Sequence, residues 1–498
     1  MQSNVILEAF GNAKTVRNDN SSRFGKYIKL RYDDNSHLKG AFTEHFLLEK
    51  SRLLQADRGE RNYHVFYQLC KGLPEELKSE LFLEKSEKYR MLTNGRCVDV
   101  DGVDDKEEFA LLDGALETIG LTMEERKSLY QSLAGLLHLG NVNFVDNGEN
   151  EMIDFTLGEG LTGDALSKLF KLDFDVIKTS LSVRHSRSGR GSYVTINMSA
   201  QQAKENLHAL IKHIYGSLFS WLVQKINVNS GYTKESASQS RDFIGILDIF
   251  GFEIMQHNSL SQLCINFANE KLQQQFNHQV FVLEKELYAK EGLETNVISF
   301  KDNQPVIDLI CKRPNGILCL LEEHSLLSRE IVTSQLINAF EKPHLNVHEN
   351  YVKSRFGNED FIIRHFAGDV EYSGNELISK NNDSLQEDLL RMLKGSSSLF
   401  LRNTCTTESG TVGEPGYIDV IEDFAPGNDE ESDVSKMAAT NTVTSVFRDQ
   451  LNKLVNTLHS TEPHYIKCVK PNGSKTPGLA NGALVLEQLR YSGVLEVV

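Results

Sequence analysis

FIGILDIFGFE, residues 243–253, decides how the rest of the sequence is read. It is a short apolar run rich in Ile, of strand length, and Asp248 and Gly251 stand where such a strand should end. Directly afterwards Ser259 and Gln262 form a Ser-x-x-Gln capping box, and neither Gly nor Pro occurs again until Gly292. Leu260, Leu263, Phe267, Leu272, Phe276, Val280, Leu283 and Leu287 recur mostly every three or four residues. This spacing predicts one long amphipathic helix over about residues 259–291.

A second stretch, NDNSSRFGK at residues 18–26, sets two adjacent hydroxyls and an arginine among small or amide side chains. A nucleoside triphosphatase that senses its γ-phosphate needs a hydroxyl for Mg²⁺, a backbone N–H near the phosphate and a means of holding two loops closed. Ser21 or Ser22 could supply the hydroxyl, Gly251 the N–H and Asp248 a carboxylate behind a metal-bound water. Arg23 and Glu253 are opposite charges able to latch one loop to the other. Taken singly, a Ser-Ser pair is usually a solvated turn and an Asp at a strand end a turn former or helix cap. Together with the apolar strand and the long helix, the functional reading is favoured.

Composition bounds what these loops can belong to. With 498 residues the chain is long enough for about two to four subdomains. Hydrophobic residues at 40% and charged residues at 24% describe a globular protein and exclude extended disorder as the main state. A formal charge of -16 argues against a nucleic-acid partner held on a broad basic face, so any polyanion must be met locally. Seven scattered cysteines, never spaced C-x-x-C, fit a reduced compartment without a zinc site. No signal peptide and no membrane-length apolar run is legible, so a cytoplasmic location is expected.

Along the chain, SNVILEAFGNAKT has the apolar spacing of a short helix broken near Gly11. YIKLRY alternates like a strand, AFTEHFLLEKSRLL returns to helical spacing, and mostly helix follows to about residue 140. RHSRSGRGS interrupts apolar flanks in a basic, hairpin-like segment at 181–197, and a helix around KENLHALIKHIYGSLFSWLVQKIN leads to a Ser-rich connector. Residues 403–437 are polar and acidic, as a surface loop would be. Beyond them, Val443, Val446, Phe447, Leu451, Leu454, Val455 and Leu458 share one helix face, and HYIKCVKPN reads as a strand stopped by Pro471.

These motifs resemble the myosin motor domain. NDNSSRFGK is similar to its switch I, and LDIFGFE with NSLSQLCINFANEKLQQQFNH to its switch II and relay helix. LEAFGNAKT, FLLEKSRLL, GERNYHVFYQL, LHLGN, GILCLLEE, HFAGDVEY and QLRYSGVLE extend the likeness over nearly the whole chain except the acidic loop. The resemblance implies an α/β fold, a P-loop NTPase-related head with a partial central mixed sheet surrounded by helices. It also implies a function, an actin-based motor that hydrolyses MgATP. Asn18 and Asn20 would line the phosphate site, Ser21 and the N–H of Gly251 would contact the γ-phosphate, and Ser22 would bind Mg²⁺ with Asp248 behind it. Arg23 and Glu253 would close the site, and closure would bend the long helix.

Actin filaments are the implied partner, met by Arg184, Arg187 and Arg190 of the basic hairpin. Ser192 precedes His208 by 16 positions (208 − 192), where the family carries an acidic residue or a phosphorylatable hydroxyl, so it is a candidate phosphosite. Membrane contact is expected only through tail regions outside this sequence, and location is expected on the cytoplasmic actin cytoskeleton. The expected divisions are 1–240, an upper actin-side subdomain with switch I; 241–300, the switch II strand and relay helix; and 301–402, a lower actin-binding subdomain. The acidic surface loop follows at 403–437, then a helix, a central-sheet strand and the start of the force-transmitting helices at 438–498.

Two departures qualify the resemblance. The only Gly-Lys pair, Gly25-Lys26, is followed by Tyr27, so these residues contain no G-x-x-x-x-G-K-[ST] phosphate cradle. In the family that cradle lies upstream of LEAFGNAKT, while converter and lever arm follow the segment matched by GVLEVV. The chain is therefore expected to be a fragment lacking both and to bind ATP poorly alone. A nucleotide-free, actin-binding protein derived from such a head is the alternative expectation.

Overall fold

The computed structural model describes residues 2–146, 153–158, 162–187, 193–231, 242–293, 300–327, 332–355, 357, 359–382, 385–406, 442–474 and 476–492. They form two compact units, Met1–Ile249 with Ser384–Asn428 and Phe250–Asp383 with Asp429–Val498.

In the first unit the predicted N-terminal helix runs over Gln2–Gly11. Its last residue must be glycine for steric reasons, because a Cβ there would sit 2.3 Å from the Phe24 ring. Strand β1 (Asn12–Ala13) pairs antiparallel with β2 (Ser21–Ser22), so the Ser-Ser pair is fixed by backbone hydrogen bonds. β3 (Gly25–Tyr32) is the alternating strand predicted at YIKLRY.

The next stretch corrects a helical expectation. Residues 38–46 form β4 (Leu38–Phe46), followed by a short 3₁₀ turn at Lys50–Leu53. Phe42 and Phe46 share a face in either a helix or a strand, since a spacing of four suits both periods. Pairing with β3 along nearly the whole length of β4, with Thr and Phe favoured on a pleated surface, decides for the strand.

Short hairpins β5 (Asn143–Val145) with β6 (Asp154–Thr156) and β7 (Val183–Arg187) with β8 (Tyr193–Asn197) follow, the second where the basic hairpin was expected. The Ile-rich run then forms β9 (Phe243–Asp248), giving a three-stranded sheet ordered β4-β3-β9. This is the described part of the expected central sheet, and its pairings are antiparallel. β9 ends that order, with Ile244 56% and Ile246 48% exposed. Its apolar sequence therefore marks a strand without marking a buried one.

Helix Ala200–Asn229 is the spine beneath the loops. Phe219 meets Phe24 edge-on at 5.0 Å, and Tyr215 stacks on Tyr63 while its hydroxyl donates to the Phe10 carbonyl at 2.7 Å. Asn227 grips β4 at Thr43, accepting from its N–H at 2.7 Å and donating to its C=O at 2.9 Å. Helices His64–Gly72, Asp105–Thr118 and Met123–Leu139 complete the core around Phe66, Leu69, Leu112, Leu133 and Leu137. The helix Leu399–Thr406 extends into the start of the expected acidic loop, held by His213 at the Cys405 carbonyl, 2.8 Å away. Residues 407–441, which carry most of that loop, lie outside the described residues, as do 232–241 of the Ser-rich connector.

In the second unit the long helix is present as predicted, with one refinement. It runs α-helical over Leu260–Asn277, widens to a π-helical turn at His278–Val282 and resumes as α-helix over Leu283–Lys290. Gln262 caps its start by accepting the Ser259 N–H at 3.0 Å. Helices Gln304–Cys311, Ile317–Leu327 and Thr333–His344 accompany it, with a sheet of β10 (Tyr351–Lys353), β11 (Asp360–Arg364) and β12 (Asp369–Ser373).

Helix Val443–His459 buries the predicted face at Phe447, Leu451 and Leu454. HYIKCVKPN, by contrast, is not a strand. No described strand pairs with it, Ile466 is 88% exposed, and the Gln488 side chain clasps the Lys470 N–H and C=O at 2.8 and 2.9 Å. Alternation supplies a strand only where a ladder partner stands beside it.

Candidate functional site

The register of β3 against β9 brings the two sequence motifs together. Lys26 lies opposite Asp248 in an antiparallel pair, so the chain entering β3 and the chain leaving β9 share one end of the sheet. Lys26 Nζ stands 3.2 Å from Asp248 Oδ2, and the Asp248 side chain is 53% exposed. The Ser-Ser-Arg loop thus reaches the sheet end at which the carboxylate sits. Within the first unit, Asn18, Asn20, Ser21, Ser22, Arg23 and Asp248 are carried on these connected strands and turns.

The two asparagines shape the loop. The Asn18 N–H and C=O are both tied to Thr15, and its side chain accepts the Asn20 N–H at 3.2 Å, an Asx turn. The Asn20 side chain is shared among Asn12 at 3.0 Å, Glu8 at 3.1 Å and His64 Nε2 at 3.2 Å. Asn18 therefore fixes the backbone course of the loop, and Asn20 ties the loop to the first helix and to His64.

Arg23 is almost wholly buried, its side chain 1% exposed. Its Nε donates to Glu49 Oε2 at 2.7 Å and its Nη1 to the Ser21 hydroxyl at 3.2 Å. The same Glu49 oxygen accepts Arg52 Nε at 2.7 Å, and Arg52 Nη1 continues to Glu60 Oε2 at 2.9 Å. Glu60 in turn accepts the Val16 N–H at 3.3 Å, which returns the chain of charges to the loop. Burial alone would push the Glu49 carboxyl up, but the Arg23 and Arg52 guanidiniums outweigh it and hold it at about 2. Deeper still, Arg61 donates to both oxygens of Asp105, at 3.0 and 2.9 Å, and lies over the Tyr67 ring. Sequence reasoning missed Glu49, Arg52, Glu60 and Arg61. The legible signal was a charge set inside an apolar run, as in FLLEKSRLL, because charges are buried only when paired.

A magnesium nucleotide would find suitable donors here. The Ser22 hydroxyl makes no hydrogen bond among the described residues and is half-buried, while Asp248 adds an exposed carboxylate. An oxygen set of hydroxyl and carboxylate suits a hard cation. Among the described residues no group of three or more His, Cys, Asp or Glu forms a separate metal cluster.

Gly251 and Glu253 belong to the second unit. Gly251 is exposed, and a Cβ there would meet nothing within 4 Å. The Glu253 peptide is gripped by one side chain of the long helix: Asn266 Oδ1 accepts its N–H at 2.9 Å and Asn266 Nδ2 donates to its C=O at 2.8 Å. Asn269 makes a similar bond to the Phe250 carbonyl at 3.1 Å. The glycine therefore lies in a loop hung from the long helix at two points.

Of the basic hairpin, Arg184 is exposed on β7, and its neighbour His185 is tied to Asp388, which accepts its backbone N–H at 2.8 Å. The Arg187 backbone lies in β7, and nothing is described of its side chain, whereas Arg190 and Ser192 lie outside the described residues.

Comparison with known proteins gives this geometry a context. The profile described as myosin head (motor domain) matches residues 1–498. The sequence is 37% identical over 503 residues to a myosin-I heavy chain of Dictyostelium discoideum, a match covering 100% of this chain and 20% of that one. It is 38% identical to myosin-2B of Naumovozyma castellii and 39% identical to a non-muscle myosin-2 heavy chain of Acanthamoeba castellanii. Those matches cover all of this chain and 34% and 32% of the two relatives, so the chain spans between a fifth and a third of their length.

Proposed function

The chain belongs to the myosin head (motor domain) family, and from that premise we propose that it is the part of an actin-based motor that senses the γ-phosphate of MgATP. The observation that supports this reading is the β3–β9 register, which sets Lys26, at the end of the Ser-Ser-Arg motif, opposite Asp248. Bound MgATP supplies the electrophilic phosphorus and the cation. Ser22 offers its hydroxyl to the cation, with Asp248 behind it through water. Ser21 and the Gly251 N–H bind γ-phosphate oxygens, and Asn18 and Asn20 line the phosphate site. Closure is proposed to engage Arg23 with Glu253, orient the attacking water and bend the long helix, where the π-helical turn at His278–Val282 offers a weak point.

The proposed divisions are those of the family: residues 1–240 and 301–402 as the upper and lower actin-side regions, 241–300 as switch II and relay helix, 403–437 as the acidic loop and 438–498 as the start of force transmission. Arg184, Arg187 and Arg190 are proposed to face actin, with phosphorylation of Ser192 promoting activation, in the cytoplasmic actin cytoskeleton.

Titration of the chain with fluorescent ATP, with and without Mg²⁺, tests the nucleotide reading. Because these residues contain no G-x-x-x-x-G-K-[ST], affinity is expected to be weak, Mg²⁺-dependent and further reduced in Ser22→Ala and Asp248→Asn. Binding indifferent to Mg²⁺ and to both substitutions would overturn it. Cosedimentation with filamentous actin tests the partner, with Arg184→Glu expected to weaken binding most at low salt.

A further inference from the structure

The second unit contains a buried chain of hydrogen bonds whose directions can be assigned. Asn266 Oδ1 faces an obligate donor, the Glu253 N–H, and its Nδ2 faces an obligate acceptor, the Glu253 C=O, which fixes the orientation of its amide. The second hydrogen on Nδ2 goes to the Tyr372 hydroxyl at 2.9 Å. Burial pushes the Tyr372 phenol far above its ordinary range, so it keeps its proton, and having accepted from Asn266 it donates that proton to His365 Nε2 at 2.9 Å. Nε2 is then an acceptor, which leaves the imidazole hydrogen on Nδ1, aimed at Glu270 Oε1 at 2.8 Å.

Glu270 ends the chain as a wholly buried carboxylate that also accepts from Asn303 Nδ2 at 2.6 Å and from the Phe366 N–H at 3.1 Å. Among the described residues no Lys or Arg is paired with it, and its partners are the His365 ring, the Asn303 amide and the Phe366 N–H. A second link runs parallel: Asn258 Nδ2 donates to the carbonyls of Met255 and Glu371, both at 3.0 Å, and the Ser373 N–H donates to the Asn258 C=O at 2.9 Å. Strand β12 thus holds Asn258 directly and reaches Glu253 through Tyr372 and Asn266.

We infer that His365 and Tyr372 are positioning residues for the loop bearing Gly251 and Glu253, acting through the Asn266 clasp. They form no hydrogen bond with Gly251 or Glu253, although the His365 ring meets the Phe252 ring between them edge-on at 5.2 Å. They set the proton direction that keeps Asn266 turned toward the Glu253 peptide, so that this loop, the long helix at Asn266 and Glu270, and the β11–β12 hairpin move as one body. The inference rests on the proposed function only in identifying that loop as the one approaching phosphate.

The test uses the whole chain without nucleotide. In protein labelled with ¹⁵N-histidine, His365 is expected as the neutral Nδ1–H tautomer, the less common form of imidazole, with its signal assigned by its loss in His365→Gln. Observation of the Nε2–H tautomer or of a doubly protonated ring near neutral pH would overturn the assignment. Amide exchange at Glu253 supplies the second readout. Tyr372→Phe, which keeps the ring, should speed it on the order of tenfold while the paired amides of β11 stay protected. His365→Gln, which presents a donor and an acceptor, should retain protection that His365→Leu loses. Equal exchange in all three variants and the parent chain would remove the positioning role. A nucleotide titration that fails while these readouts hold would count against the proposed function alone.

Discussion

The two units hold their loops by opposite means. Around the Ser-Ser-Arg loop the first unit uses full charges, with Arg23, Glu49, Arg52 and Glu60 alternating in sign through the interior. Around Glu253 the second unit uses directed hydrogen bonds among Asn266, Tyr372, His365 and Glu270. Charges in a low-dielectric interior interact strongly but answer to every proton gained or lost nearby. Directed bonds are individually weaker and specify orientation. A loop fixed by charges therefore answers to any change of charge beside it, whereas one fixed by directed bonds answers first to a change of geometry.

Acid should separate the units most. His64, which meets Asn20 at the loop, and His138 are both buried, and burial, aided at His64 by the Arg61 charge, lowers each to about 4. In an unfolded chain they titrate near 6.5, so stability is full above that value and is lost as pH falls from about 6.5 through about 4. Each contributes roughly 3 kcal/mol to that loss, enough together to consume much of a typical domain's stability. A further loss as pH falls from about 4.5 toward 2 should follow, as Glu49 is protonated between its two charged partners. Hydrogen exchange against pH checks this. Peptides of the first unit should open at higher pH than those around residues 260–277, and simultaneous opening would erase the contrast drawn here.

Glu49→Gln strikes the charged arrangement directly. It leaves Arg23 and Arg52 side by side, both nearly buried and deprived of their shared carboxylate. Breaking a buried pair in this way costs about 3–5 kcal/mol, read as a shift in the denaturant midpoint of the first unit. Should Glu49→Gln cost less than about 1 kcal/mol, the charges would not be what holds the loop. Gly11→Ala attacks the same loop by packing alone. Its new methyl must displace the Phe24 ring next to Arg23, for an expected loss of about 1–3 kcal/mol that should be independent of pH.

How much of this was legible in the sequence follows the same division. Periodicity found the long helix, its cap and the helix at Val443–His459, because a face buried against a core imposes a repeat. It failed at β4, where a spacing of four suits two structures, and at HYIKCVKPN, where strand character depended on a partner that local sequence cannot report. The loops were found from residue type, since Ser, Arg and Asp at turns suggest ligand chemistry. Their supports were not. Glu49 lies 26 residues from Arg23, and Tyr372 lies 106 residues from Asn266, and nothing in either segment names the other. Long-range polar pairing leaves no period to read.

The smallest effect is expected where the second unit's chain of hydrogen bonds ends. Asn303→Ala removes one of the donors to Glu270 Oε2 and the bond to the Glu270 carbonyl at 2.8 Å, while His365 and the Phe366 N–H still serve Oε1. With most donors kept, the loss should be about 1–2 kcal/mol, in the range for a bond to a charged group. Denaturant midpoints for Asn303→Ala and the parent chain check this, and the shift should be smaller than that of Glu49→Gln, because a directed bond is lost without stranding a charge beside another of the same sign. A loss as large as that of Glu49→Gln would mean that the second unit depends on a single polar pair as strongly as the first does.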